Sequence, residues 1–161
     1  ALLLRCFDGW TVKWPLWLRI GGEATLASYG VAPGREMADA LKAIPQDHIE
    51  FIRSCQYVFE TERRIFVHAG LRPGVPLEDQ DQDDLLNIRT EFLESNFNFG
   101  RLVVHGHTHE PDVVVMPYRL GIDTGAGYGH RLTAAAFQSS GLQFTQVWSE
   151  ANDVVSRTWQ T

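Results

Sequence analysis

Apolar and polar positions alternate in two different rhythms along this chain. Met37, Ala40, Leu41 and Ile44 fall at i, i+3, i+4 and i+7, which predicts an amphipathic helix over 35–44. Pro45 is placed to open a second helix, in which Ile49, Ile52 and Cys55 share a face. Before these, residues 10–29 carry Trp10, Trp14, Trp17, Leu18, Leu26 and Tyr29, read as helical pieces broken at Pro15 and at Gly21-Gly22. Then the rhythm changes. Arg64 to His68 is a short apolar run ending in Ala-Gly, the pattern of a buried strand and a turn. A loop rich in Gly, Pro, Asp and Gln fills 70–82, and 83–95 reads as one helix with Leu85, Phe92 and Leu93 on its apolar stripe. Strands are predicted at 101–105, 112–116, 119–123, 131–138 and 142–148. Helices first and strands afterwards suggest a layered α/β or α+β fold, one domain over 1–161 without a linker.

Composition narrows the classes of function. With 161 residues, 44% hydrophobic and 21% charged, the chain has the makings of a real core. A net charge of −6 and the lack of any Lys/Arg run argue against a nucleic-acid partner. No apolar run approaches the ~20 residues of a membrane helix, and the start ALLLRCFDGW, with no basic leader and no small-residue cleavage site, does not read as a signal peptide. Cys6 and Cys55 stand far apart and outside any CxxC pair. That argues against a disulfide scaffold or a thiolate zinc site and fits a reducing, cytoplasmic compartment. The acidic run EDQDQDD at 78–84 lacks the Gly and Glu a calcium loop requires and reads as a solvated loop.

The candidate chemistry lies in VVHGHTHEP, residues 103–111, where three of six histidines (His105, His107 and His109) occupy alternate positions. His68 ends one strand and His107 lies just past another, so two imidazoles at neighbouring strand ends can converge on one borderline metal ion. Gly106 is expected to supply the tight turn that aims His107. His105 still belongs to its strand and reads as a core or supporting histidine, while His48 and His130 read as surface or packing residues. Arg89 falls four after Leu85 and three before Phe92, on the apolar stripe. A guanidinium there requires an anion, either an internal carboxylate such as Glu91 or Asp123 or a phosphate in the cleft, and spacing alone leaves both open.

Together, IFVHAGLRPGVPLEDQ (65–80), DLLNIRTEFL (84–93), VVHGHTHEP (103–111), RLGIDTGAGYGHRLTA (119–134) and WLRIGGEATLASYGV (17–31) resemble the calcineurin-like metallophosphoesterases. The similarity is to the bacterial and phage branch of the phosphoprotein phosphatase family, which includes symmetrical diadenosine tetraphosphatases. The resemblance implies an α/β/β/α sandwich of two sheets with two divalent ions, Mn, Fe or Zn, between strand ends. It implies His68 and His107 as ligands of one ion and Arg89 as the grip on the substrate phosphate. Tyr128 lies near a tyrosine that often faces the site. His109 stands where this branch has proline. In other calcineurin-like esterases Gly-His-x-His supplies two ligands, so His109 is a further candidate ligand.

Three motifs of the family, GDxHG, GDxxDRG and GNHE, do not occur in the sequence. They supply most of the metal donors, the acid histidine and a second phosphate-binding arginine. The opening ALLL matches the helix that follows GNHE, so the chain reads as the C-terminal portion of such a domain, without a catalytic residue of its own. The expected function is metal-dependent hydrolysis of a phosphorylated protein, or of a dinucleoside tetraphosphate, in the complete protein. The expected partner of this portion is the missing N-terminal half or a second copy. From a different class, a degenerate, non-catalytic metal- or partner-binding module is the rival. The metallo-β-lactamase pattern HxHxDH is set aside because His109 stands at its Asp and Pro111 interrupts it.

Overall fold

The computed structural model describes residues 2–139, 141–150 and 153–160. The chain divides into two compact units, residues 1–56 and 57–161. The first is helical: α1 (Leu2–Phe7), α2 (Trp14–Trp17), α3 (Glu23–Ser28), α4 (Met37–Leu41) and α5 (Gln46–Ser54). Cys6, Trp17, Leu26, Leu41 and Ile49 are buried in one cluster, which removes the indole and the aliphatic stripe from water. A 3-10 turn over Thr11–Lys13 gives way to α2 at Pro15, which lies in the first turn of the new helix, where a missing N–H leaves no bond unmade, so the helical pieces meet there as expected. The break expected at Gly21-Gly22 is there: a π-turn spans Leu18–Gly22 and Gly21 takes φ 122°. α4 is shorter than the periodic pattern, because Pro45 holds the approach to α5 in an extended conformation. On α5, Ile49 is buried but Cys55 leaves the helix with ψ 131° and is exposed, so the expected shared face ends at Ile52. Both cysteines are free thiols.

Gly22 packs its Cα against the Trp17 ring; a Cβ there would lie 2.6 Å from Cδ2. Gly22→Ala should therefore lower stability by about 1–3 kcal/mol, the usual effect of overpacking. Urea denaturation followed by tryptophan fluorescence measures this; an unchanged midpoint would show that Trp17 moves freely.

The second unit is mixed α/β with two sheets. β1 (Val58–Glu60), β2 (Arg64–Val67), β3 (Leu102–His105), β4 (Val114–Val115) and β5 (Arg119–Gly121) form a five-stranded sheet in the order β1-β2-β3-β5-β4. β2, β3 and β5 run parallel, and the two edge strands antiparallel. Between β2 and β3 come α6 (Gln82–Asn87) and α7 (Thr90–Leu93). β6 (Leu132–Gln138), β7 (Gly141–Glu150) and β8 (Asp153–Gln160) make a three-stranded antiparallel sheet. Alternation along β2 and β3 gives the larger sheet two apolar faces. Ile65, Val67 and Val103 pack with Leu85, Ile88 and Phe92 of the helical segment. Val104 and Leu120 share a second cluster with Phe144 of β7, flanked by Phe66 and Phe137.

Residues 83–95 are not one helix. The chain breaks at Ile88 (ψ 141°) and Arg89 (φ −131°, ψ −95°), so Leu85, Ile88 and Phe92 reach the core while Arg89 turns outward and is exposed. The acidic run before it is more ordered than a solvated loop. Asp81 caps α6 by accepting from Asp83 N–H, and Asp84 grips Arg72 with two bonds of 2.5 and 2.6 Å. β1 and β8 were not expected from the sequence, and the strands expected at 112–116 and 119–123 shorten to Val114–Val115 and Arg119–Gly121. Among the described residues no helix is long and apolar enough to cross a membrane.

Candidate functional site

The three parallel strands β2, β3 and β5 end on one side of the sheet, and the residues that follow them carry the candidate chemistry. His68 comes one residue after β2, His107 two after β3 and Asp123 two after β5. Ligands of open α/β sheets gather outside the carboxyl ends of parallel strands. Backbone bonds tie the three ends together: Gly106 N–H donates to His68 C=O at 2.9 Å, and Ile122 N–H donates to His105 C=O at 3.0 Å. The His68 and His107 rings, 39 positions apart in sequence, stand 5.0 Å between centroids at 57°. They border a cleft of about 370 Å³ whose lining includes Asp123, Thr124 and Arg131.

The tight turn is made by a different residue from the one the sequence suggested. His107 itself is left-handed, at φ 66°, and it is the one non-glycine residue of positive φ among the described residues. At Gly106 a Cβ would meet only ordinary contacts, 3.5 Å to Asp123 Cβ and 3.6 Å to His68 C=O, with no left-handed φ. A left-handed histidine is strained by about 1–3 kcal/mol and such strain concentrates at functional positions.

Burial pushes the His68 imidazole below its ordinary 6.5, opposed by the Asp123 carboxylate. Burial lowers His107 too, helped by the charges of Arg89 and His68. In both rings the shift favours the neutral form, which keeps a lone pair for a metal. His105 is 3% exposed, stands edge-on to Phe92 at 4.9 Å, and is pushed down to about 4, chiefly by burial. Its place in the core agrees with the sequence reading.

An unfolded chain takes up a proton on this histidine near 6.5, whereas the native state resists protonation until about 4. The depressed value means stability is full above pH 6.5 and falls as pH drops towards 4, by up to about 3 kcal/mol from His105. Chemical denaturation at pH 7.5, 6 and 4.5 checks this, with His105→Phe expected to flatten the decline.

Arg89 Nη1 donates to Thr108 Oγ1 at 2.9 Å and approaches His107 C=O at 3.5 Å. Among the described residues neither Glu91, Asp123 nor any other carboxylate forms an ion pair with it. The guanidinium is therefore tethered beside His107 and adds positive charge there. His109 takes another direction. It is exposed, stacks on Tyr128 with centroids 4.9 Å apart, and lines a neighbouring cavity of about 480 Å³ with Glu110, His130 and Trp148. The structure thus brings His68, His107 and Arg89 together and leaves His109 outside their cleft. Among the described residues no three His, Cys, Asp or Glu side chains converge as a metal-holding group.

Two contributors were missed in the sequence. Thr108 holds Arg89, and Asp123 faces the imidazoles where it had been considered only as a partner for Arg89. Their signal was their place after strands β3 and β5, beside the histidine motif and in the IDTGA stretch. The chain matches no protein-family model and no curated protein.

Proposed function

We propose that the chain contributes one side of a metal centre for phosphoester hydrolysis, as in the calcineurin-like phosphoprotein phosphatases. On this reading the two sheets of the second unit are the inner layers of an α/β/β/α sandwich, with the shared cluster of Val104, Leu120 and Phe144 between them. The observation that carries the reading is the convergence of His68 and His107 at parallel strand ends, with Arg89 held beside them by Thr108.

Two neutral imidazoles fit part of the shell of one divalent ion. The residues do not fit a pair of ions, because no group of three donors converges among the described residues. On this reading the donors of a second ion and the proton donor to the leaving group are not supplied by the residues of this cleft. When bound, a divalent ion polarises a phosphoryl oxygen and acidifies water. The roles of this chain's residues are narrower. His68 and His107 would hold the ion, the strained backbone of His107 would fix its ring direction, and the planar fork of Arg89 would suit the phosphoryl oxygens, where negative charge accumulates. Asp123 keeps the imidazole pair in a negative field that favours a cation.

Binding of inorganic phosphate to the chain in the presence of Mn²⁺ tests the proposal by calorimetry. Arg89→Ala should weaken phosphate at least about 10-fold, in keeping with a lost charge-assisted pair, and should leave Mn²⁺ affinity within twofold. Equal phosphate affinity in Arg89→Ala would overturn the assignment. The chain alone should not turn over p-nitrophenyl phosphate above a Mn²⁺ blank; turnover would contradict the partial site. The donor count itself favours one other reading, a non-catalytic module that binds a metal or partner through the same cleft. It predicts that Mn²⁺ binds while phosphate does not follow.

A further inference from the structure

Next to the cleft lies a second, smaller space, walled by Leu93 and Val114 as well as by polar groups. A cavity of about 70 Å³ is lined by His105, Thr108, Glu110, Arg119, Gly121 and Asp123. Its wall holds an unmet requirement. The Nε2 atom of His105 is buried and has no hydrogen-bond partner, although the residue is 3% exposed. The other ring nitrogen, Nδ1, lies 3.2 Å from the Gly106 carbonyl, which can only accept, so Nδ1 carries the proton. Nε2 is then a bare lone pair that requires a donor. Its edge of the ring faces Gly121: a Cβ at that position would meet Cε1 and Nε2 at 3.3 Å each. Gly121 therefore keeps open the space that the lone pair faces.

The remaining walls define what can enter. Arg119 donates one bond to Leu93 C=O at 3.1 Å, and no carboxylate forms an ion pair with it among the described residues. It senses Glu110 only at longer range. An occupant must therefore donate to His105 Nε2 and to the carboxylates, and accept from Arg119. An anion would meet Glu110 and Asp123; a cation would meet Arg119. The volume admits about two molecules at the ~30 Å³ each water takes up in the liquid.

We infer that this cavity is a built site for one or two bound waters, which join His105, Arg119 and Glu110 to Asp123 and fix the carboxylate from this side. Asp123 lines both this cavity and the cleft of His68 and His107. Its Oδ1 already accepts from Gly125 N–H at 3.0 Å. A water at the second oxygen holds the carboxylate plane against the two imidazoles, so His105 acts as a positioning residue for that face of the cleft. The site stands on the cavity and the orphaned nitrogen, independently of any hydrolase activity.

A crystal structure of the chain at a resolution that shows ordered solvent is the first test. Water density within hydrogen-bond distance of His105 Nε2 is expected, and a dry cavity would overturn the site. His105→Phe is the second test. It keeps the edge-on packing against Phe92 and removes both nitrogens. The variant loses the Nδ1–H bond to Gly106 C=O in either case, so its own solvent density is the readout: loss or displacement of the water beside Arg119 and Glu110 is expected, and the same water retained unmoved would contradict the link to His105. The carboxyl ¹³C resonance of Asp123 should shift in the same variant if His105 positions it, and stay fixed if the role of His105 is packing alone. Should His105→Phe fail to fold, the solvent density of the unmodified chain decides.

Discussion

Gly70→Ala should be the most damaging small substitution in the second unit. The ring of Phe92 occupies the place where a Cβ of residue 70 would go: the added carbon would overlap Cδ1 and lie 2.6 Å from Cγ. Neither partner has an easy retreat. Phe92 is 2% exposed and is held by His105 at 4.9 Å and by Phe99 at 6.1 Å between centroids. Gly70 follows Ala69, whose N–H is bonded to Leu85 C=O at 2.9 Å, so the backbone cannot slide away without freeing a buried amide. Moving the phenyl ring forfeits part of a contact whose deletion usually costs about 3–5 kcal/mol. A loss of about 3 kcal/mol is a large share of a domain stability of roughly 5–15 kcal/mol. Urea midpoints of Gly70→Ala, Phe92→Leu and the double variant form a cycle, and the double variant should be less unstable than the sum of the singles. Additivity would show that Gly70 is limited by something other than Phe92.

His107→Gly separates function from folding. Glycine accepts φ 66° without strain, and relief of about 1 kcal/mol offsets the similar entropy a glycine adds to the unfolded chain. Stability should therefore change by less than about 1 kcal/mol. Metal affinity should fall at least about 100-fold, since loss even of a residue that only supports a ligand lowers affinity by about 10–100-fold. His109→Gly, outside the cleft, should leave metal affinity nearly unchanged. Zinc calorimetry on the two variants checks both statements. Equal losses in the two would place the metal nearer the 105–109 turn as a whole than at His107.

Legibility in the sequence followed the strength of local constraint. Ile65 to Val67 and Leu102 to Val104 are continuous short apolar runs, alternately buried in the first and buried at successive positions in the second, and each was readable as a strand. His68 and His107 were readable as neighbours because parallel strands end in register, Ile65 opposite Val103 and Phe66 opposite Val104. Arg89 was misplaced because a helical period cannot reveal a two-residue break: Leu85 and Phe92 keep their spacing whether the chain between them is helical or extended. β8 was missed for another reason. Its residues acquire strand structure through pairing with β7, from Gln143 opposite Gln160 to Glu150 opposite Asp153, and that partner is not written in the local pattern. The strained turn went to Gly106 in the sequence reading because glycine is the default for left-handed backbone; the histidine holds it here through the bonds from Gly106 to His68 and from Thr108 to Gly106.

The ring contact of His68 with His107 carries the proposed metal site, and ¹⁵N-histidine NMR during a Zn²⁺ titration tests it most directly. The six histidines are the reporters. The expected result is a 1:1 titration in which the ring nitrogens of His68 and His107 move together, while those of His48 and His130 stay fixed. Metal shifts confined to His109 and His130, or no saturable shift at His68, would contradict the cleft as a metal site and with it the proposed phosphoester chemistry.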